Sequence, residues 1–216
     1  MFTKPIDKIT FEDVENFCHE FGEGVRVEYK REIAHIPKIV SSFANTLGGI
    51  FIIGVETDEM NKVVSPIKGM PKETGIEERI LQSALTGIYP AVMPEVIIRA
   101  VPNSNNVVVI IRVDESIQAP HAIEKSTKIY FRSGSITQPY KLADTERIAY
   151  MFKRREDSQV IAKQILNRIE ERTETLCATD NPNLTVIIRP VFPYQSVIST
   201  VDIHEVARAE LAPHIA

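Results

Sequence analysis

The chain has 216 residues, of which 44% are hydrophobic and 25% charged, and its formal net charge is −4. This composition is typical of a globular protein with a substantial core, and no run of about 18 apolar residues predicts a membrane span. Because the N-terminus lacks the apolar segment of a signal peptide, we expect a cytoplasmic protein. The two cysteines, Cys18 and Cys177, belong to no metal-ligand motif, so neither a disulfide framework nor a zinc site is predicted.

The N-terminal segment combines a helix signal with a strand signal. A capping pattern predicts a helix over Phe11–Phe21. Residues 25–30 alternate between apolar and polar side chains, which predicts a half-buried strand whose polar face carries Arg26, Glu28 and Lys30. If water covers that face, Glu28 and Lys30 form a surface ion pair that contributes well under about 1 kcal/mol.

A glycine pair separates the next two predicted elements. Apolar residues at helical spacing predict a helix over Ile36–Thr46, and the apolar run Ile50–Val55 predicts a central strand covered on both faces. Gly48 and Gly49 lie between them. They either expose backbone N–H groups to a phosphate or simply end the helix and begin the strand.

Helix and strand signals then alternate to the end of the chain. The predicted elements are a helix over Gly75–Ile88, a hairpin of Glu95–Val101 with Val107–Val113, a strand over Lys128–Arg132, a long helix over residues 144–177, a strand over Leu184–Val191 and a helix over Asp202–Leu211. This mixture predicts an α/β or α+β fold in which helices flank a mixed sheet. We place a boundary near residue 155, with a domain at 1–155 and an extension at 156–216 that could be an incomplete second lobe.

Charge is distributed unevenly in the second half. Between Lys125 and Arg155, eight Lys or Arg residues accompany two acids, whereas acids outnumber bases from residue 156 onward. The basic segment is either a solvated helix face or a patch that follows phosphates. Within it, Tyr130 and Phe131 could stack on bases, although alternation along a strand directs one of them to the core.

Three blocks of sequence resemble the Schlafen AlbA-type domain. They are Glu23 with VEYK at 27–30, SFANTLGGIFIIGV at 42–55, and IYFRSGSIT at 129–137. The resemblance covers roughly residues 10–150, and its middle block is the most specific. It implies a Schlafen AlbA-like core that binds DNA or RNA, found alone or fused to transcriptional regulators and ATPases.

The resemblance also implies a candidate metal centre. In Schlafen ribonucleases the metal-binding acids match Glu23 and Glu28 here, with Glu56 or Asp58 as the third ligand. Such a centre would hold Mg²⁺ or Mn²⁺ and cut tRNA, other RNA or single-stranded DNA, with Lys30 beside a metal-bound water. The chain departs from the animal proteins because it lacks their zinc ligands and their complete second lobe.

The remaining expectations concern partners. The candidate nucleic-acid contacts are Arg26, Lys30, Arg31, Asn45, Arg132, Ser133, Ser135 and Lys141. Without a Gly-x-x-x-x-Gly-Lys-Ser/Thr loop, the chain is expected to bind no nucleotide cofactor. The alternative function is a non-catalytic module of a regulatory or defence assembly, which acts through a fused partner or by self-association as a homodimer.

Overall fold

The structure, a computed structural model of the chain, describes residues 2, 4–125, 127–134 and 140–176. It confirms a mixed α+β fold in which helices flank a mixed sheet. The chain divides into two units, Met1–Ile165 and Leu166–Ala216, and the described residues of the second unit are the C-terminal turns of one helix. The predicted strand at Leu184–Val191 and helix at Asp202–Leu211 lie outside the described residues.

The described elements follow the predicted order, with shorter bounds in most cases. The helices are α1 (Phe11–Glu20), α2 (Ile36–Ala44), α3 (Ile76–Gly87) and α4 (Thr145–Leu176), preceded by a 3-10 turn at Ile6–Lys8. The strands are β1 (Val27–Lys30), β2 (Gly49–Ile53), β3 (Met70–Pro71), β4 (Glu95–Ala100), β5 (Asn106–Val113), β6 (Ala122–Ile123), β7 (Lys128–Arg132) and β8 (Tyr140–Leu142). The boundary predicted near residue 155 lies inside α4. No described helix is both long and apolar enough to cross a lipid bilayer.

The larger sheet is built around β5. Strand β1 pairs in parallel with β2, and β2 pairs antiparallel with β5. Strand β4 pairs with one side of β5 along its length, so that Ala100 is opposite Val107. On the other side of β5, Met70 of β3 is opposite the same Val107, and β3 therefore follows β2 along that side. The sheet is therefore mixed, and β1 is an edge strand.

Each face of this sheet is covered by helices because β2 has no polar side chain and β5 is apolar from Val107 to Ile111. One core contains α2 and α3 packed on Phe51, Ile53 and the odd-numbered residues of β5. The other core contains α1 packed on Val27, Tyr29, Ile50 and Ile52. Thr10 begins α1 with the predicted capping box, in which its hydroxyl accepts from the Asp13 N–H.

A smaller antiparallel sheet, β6–β7–β8, packs against α2. Asn45, the residue that ends α2, joins the two layers: its side-chain amide donates to the carbonyl oxygens of His121 and Tyr130, both at 2.8 Å. Its carbonyl oxygen accepts from the His121 N–H at 2.7 Å. The small sheet thereby brings β7 next to the edge of β1 that pairs with no strand.

Candidate functional site

The outer edge of β1 exposes backbone groups that have no neighbouring strand. Alternate residues of a strand direct their N–H and C=O groups to opposite sides, and Arg26 and Lys30 accept from β2 through Ile50 and Gly54. The backbone groups of Val27 and Tyr29 therefore point away from β2. An unpaired edge of this kind is a template for unwanted strand pairing unless something covers it.

Side chains and a turn cover that edge. The Tyr29 N–H donates to Glu23 Oε1 at 3.1 Å, and the Tyr29 carbonyl accepts from Lys30 Nζ at 2.9 Å. The Val27 carbonyl accepts from the Gly24 N–H at 3.0 Å and from Arg132 Nη2 at 3.2 Å. Glu23, Lys30 and Arg132 thus replace the hydrogen bonds of a missing strand.

Glu28 lies at the centre of this arrangement and is fully buried. Its Oε2 accepts from Arg132 Nη1 at 2.6 Å, and Lys30 Nζ lies 2.5 Å from its Oε1. The predicted solvated face of β1 is therefore wrong at Glu28, because the β7 side chain Arg132 covers it. Arg132 is itself buried, with its guanidinium 4.6 Å from the centre of the Phe43 ring and a further hydrogen bond to the Gly24 carbonyl.

Lys30 is more exposed than Glu23 and Glu28, with 32% of its side chain accessible to solvent. Burial lowers the pKa of Lys30, but the hydrogen bond and charge of Glu28, together with the charge of Glu23 at 3.6 Å, raise it above its ordinary value. Lys30 therefore remains a cation at neutral pH. Glu23 and Glu28 hold its ammonium group at the surface.

Two tyrosines and a second lysine form a cluster of their own. The rings of Tyr130 and Tyr140 meet edge to face with centroids 6.2 Å apart, and Lys38 Nζ lies 4.6 Å and 4.3 Å from their respective centres. Both rings are partly exposed. Burial and the charge of Glu28 raise the pKa of Tyr140, whereas the charges of Lys30 and Arg132 lower it. Tyr140 therefore interacts electrostatically with Glu28, Lys30 and Arg132.

The predicted metal ligands do not converge. Glu23 and Glu28 come together around Lys30, whereas Glu56 is 4.0 Å from Arg31 and Asp58 accepts from the Met60 and Lys62 N–H groups within its own turn. Across the described parts of the chain, no three histidine, cysteine, aspartate or glutamate side chains form a group that could hold a metal ion. Cations already neutralise both oxygens of Glu28, so the residues present do not fit the Mg²⁺ or Mn²⁺ that the resemblance implies.

The predicted nucleic-acid contacts are also dispersed. Arg132 and Asn45 are buried and bonded to protein groups, which disagrees with their predicted contact with phosphates. Lys141 is paired with Phe131, so it lies on the opposite face of the β7–β8 hairpin from Tyr140. The remaining candidates are Arg26 and Arg31, which are exposed, Ser133, which is partly exposed, and Ser135, which lies outside the described residues.

Several cations of the basic segment from Lys125 to Arg155 are engaged in local contacts. Lys128 pairs with Glu124 at 2.7 Å, and the Arg147 guanidinium lies 4.0 Å from the centre of the Phe131 ring. Arg154 donates to the Thr46 and Ser116 carbonyls. Three of its cations thus serve packing and local pairing.

Lys38 and Tyr140 were not among the sequence-based candidates. Lys38 follows Pro37 in the first turn of α2, and a lysine at such a position predicts only a solvent-exposed helix residue. Tyr140 opens a three-residue strand that is too short for a periodic signal. Only the pairing of β7 with β8 and the packing of β7 on α2 bring them to Tyr130.

Several solved structures are similar to this chain. The chain is similar to the N-terminal domain of an ATP-dependent DNA helicase RecG-related protein from Nitrosomonas europaea, with 18% identity, a TM-score of 0.42, and coverage of 63% of this chain and 82% of that chain. It is also similar to the DIP2311 protein from Corynebacterium diphtheriae, with 20% identity, a TM-score of 0.39, and coverage of 61% of this chain and 26% of that one. The comparison with curated proteins gave no match.

A family model also matches this chain. The model of the family described as Schlafen, AlbA_2 matches residues 15–141. This span begins inside α1, includes α2, α3 and β1 to β7, and contains Glu23, Glu28, Lys30 and Arg132. That span is more than half of the chain. The protein therefore belongs to the Schlafen AlbA_2 family, and this membership indicates a role connected with nucleic acids.

Proposed function

We propose that the chain binds nucleic acid, without cutting it, through a surface formed by Lys30, Lys38, Tyr130 and Tyr140, which we call the lysine–tyrosine face. The observation that supports this is the cluster of the Lys38 ammonium group with the Tyr130 and Tyr140 rings. Lys38 Nζ lies 4.3 Å from the centre of the Tyr140 ring, and Lys30 acts on the same tyrosine through its charge.

The local charge balance supports phosphate binding despite the overall charge of −4. Glu23 and Glu28 pair with Lys30, Glu28 also pairs with Arg132, and Lys38 is a third cation beside the tyrosines. Arg132 is buried, so its charge compensates Glu28 from within. Because Arg132 neutralises part of the charge of Glu28, Glu28 does not fully neutralise Lys30. The surface therefore keeps a positive charge toward solvent.

Binding without cleavage is the chemistry that these contacts favour. A metal-dependent nuclease needs carboxylate oxygens with free lone pairs that converge on one point. Here Glu28 is engaged by Arg132 and Lys30, and Glu23 caps the backbone of Tyr29. We propose that these two acids position Lys30 and do not bind a metal. A metal-dependent endonuclease is the alternative function, and the experiment below tests it.

The test is a salt titration of binding by pure protein to labelled single-stranded DNA, single-stranded RNA and duplex DNA. Each lysine that neutralises a phosphate contributes about 0.7 to the slope of log affinity against log salt on a single strand. Lys38→Gln should therefore weaken binding and reduce the slope by about that amount. The matched control is Lys153→Gln, an exposed α4 lysine outside the proposed surface, which should change neither quantity.

The same samples distinguish the alternatives. Incubation with Mn²⁺ should leave the labelled strands intact, and cleavage that disappears in Glu23→Gln would instead support the endonuclease. Absence of binding in every arm would contradict the proposal. Self-association measured by sedimentation, without nucleic-acid affinity, would then support the non-catalytic interaction module.

A further inference from the structure

The rings of the lysine–tyrosine face bear on which nucleic acid it accepts. Tyr130 and Tyr140 are opposite Leu142 and Arg132 in the β7–β8 register, so both rings lie on the hairpin face that packs against α2. They sit at the border of that packing, where each remains partly exposed. Their edge-to-face contact at 6.2 Å fixes one ring against the other.

Lys38 gives this aromatic pair a charge. Its ammonium group lies within 5 Å of both ring centres, at 4.6 Å and 4.3 Å, which is the range of a cation–π interaction. A base that packs on the exposed part of either ring would bring its own phosphate toward Lys38 or Lys30. The combination of an aromatic surface and adjacent cations is typical of proteins that bind single strands.

We propose that the lysine–tyrosine face selects single-stranded over duplex nucleic acid by stacking an unpaired base on Tyr140 or Tyr130, a proposal that rests on the proposed function. In a duplex, the flat faces of the bases are already stacked on one another and are not accessible to a protein ring. A single strand exposes them. The lysines supply affinity for either form, whereas the tyrosines supply the preference between them.

The composition of the chain makes stacking directly observable. It contains six tyrosines and no tryptophan, so its intrinsic fluorescence comes from tyrosine alone. A base stacked on a tyrosine ring quenches the fluorescence of that ring. Quenching by an oligonucleotide therefore reports ring contact and separates stacking from phosphate binding elsewhere on the surface.

The experiment measures binding of short oligothymidylate, oligouridylate and a duplex of matched length to wild type, Tyr140→Leu and Tyr140→Phe, with circular dichroism to verify folding. Tyr140→Leu should lose about 5- to 150-fold in affinity for single strands, the loss of one stacked base, with an unchanged salt slope and less quenching. Tyr140→Phe should retain most of the affinity. Tyr89→Leu removes a tyrosine that is 70% exposed on another part of the surface and is the matched control.

Two results would overturn the proposal while leaving the proposed function intact. One is equal binding of the duplex and the single strands, and the other is a Tyr140→Leu, Tyr130→Leu double variant that binds single strands as tightly as wild type. Absence of all binding in wild type would instead contradict the proposed function itself.

Discussion

Arg132 and Glu28 form a fully buried ion pair, with Nη1 donating to Oε2 at 2.6 Å, although the residues are 104 positions apart in the chain. The pair joins β7 of the small sheet to β1 of the large one. Two charges taken out of water are costly unless each is paired and hydrogen-bonded. Here Lys30 completes the pairing of Glu28, and the Gly24 and Val27 carbonyls accept from Arg132.

We expect Arg132→Met to destabilise the protein by about 3–5 kcal/mol, because it leaves a buried carboxylate with Lys30 as its main remaining partner. Urea denaturation at neutral pH measures the change. Adding Glu28→Gln to Arg132→Met should restore part of the loss, since the second substitution removes the uncompensated charge. Arg79→Met is the control, because Arg79 of α3 forms an exposed pair with Glu73, which precedes the helix. Equal losses in Arg132→Met and Arg79→Met would contradict a structural role for the buried pair.

The burial of Glu28 also marks the limit of sequence-based prediction in this fold. Period-two alternation placed Arg26, Glu28 and Lys30 on one face of β1, and that assignment of a shared face agrees with the contact between Glu28 and Lys30. Alternation separates two faces of a strand but carries no information on whether another layer covers one of them. The covering side chain, Arg132, comes from a distant strand, so only the tertiary structure shows that the polar face is buried.

Sequence patterns predicted the structure more accurately where interactions between neighbouring residues determine it. The capping box at Thr10 and the bounds of β7 follow from adjacent residues and are confirmed. The strands β3, β6 and β8 have two or three residues each, which is too few for a periodic signal, and they form because β5 and β7 offer them backbone partners. For the same reason the sequence placed Tyr130 in a candidate role and missed Tyr140.

Arg154 should fix the first part of α4 to the domain. It donates to the Thr46 carbonyl at 3.3 Å and the Ser116 carbonyl at 3.0 Å, and it pairs with Glu115. Hydrogen bonds from a charged donor contribute about 1.5–3 kcal/mol each when partly buried, so we expect Arg154→Leu to increase amide hydrogen exchange in α4. Lys153→Leu removes a neighbouring exposed cation, and exchange that rises equally in both variants would exclude the anchoring role.

His121 should make stability depend on pH. Burial is the largest cause that lowers its pKa from 6.5 to about 4, and the charges of Arg154 and Arg155 add to the effect, whereas the hydrogen bond to the Pro90 carbonyl opposes it. Between these two values the unfolded chain binds a proton at His121 and the folded chain does not, so stability falls as pH falls from 6.5 to about 4. The contribution is about 3 kcal/mol, fully present above pH 6.5 and lost below the folded pKa.

Comparison with His121→Gln isolates that contribution from the carboxylates, which also titrate in acid. Urea denaturation of both proteins at a series of pH values should give curves that diverge at neutral pH and approach each other near pH 4. The difference between the two free energies of unfolding is the quantity to plot. A difference that stays constant with pH would show that His121 titrates normally in the folded state.

A substitution at Gly48 distinguishes the two interpretations of Gly48 and Gly49, which are a structural turn between α2 and β2 and a phosphate contact. Its φ is +66°, and a Cβ at this position would lie 2.6 Å from the Val113 carbonyl oxygen and 2.8 Å from the Glu115 nitrogen. We expect Gly48→Ala to lose about 1–2 kcal/mol from the left-handed backbone alone, with the collision adding to the loss. Gly24→Ala is the control, because its Cβ would meet nothing within 4 Å, and it should retain wild-type stability. A Gly48→Ala protein that keeps its stability but loses nucleic-acid affinity would instead support a phosphate contact at this turn. A purely structural role for Gly48 predicts a loss of stability.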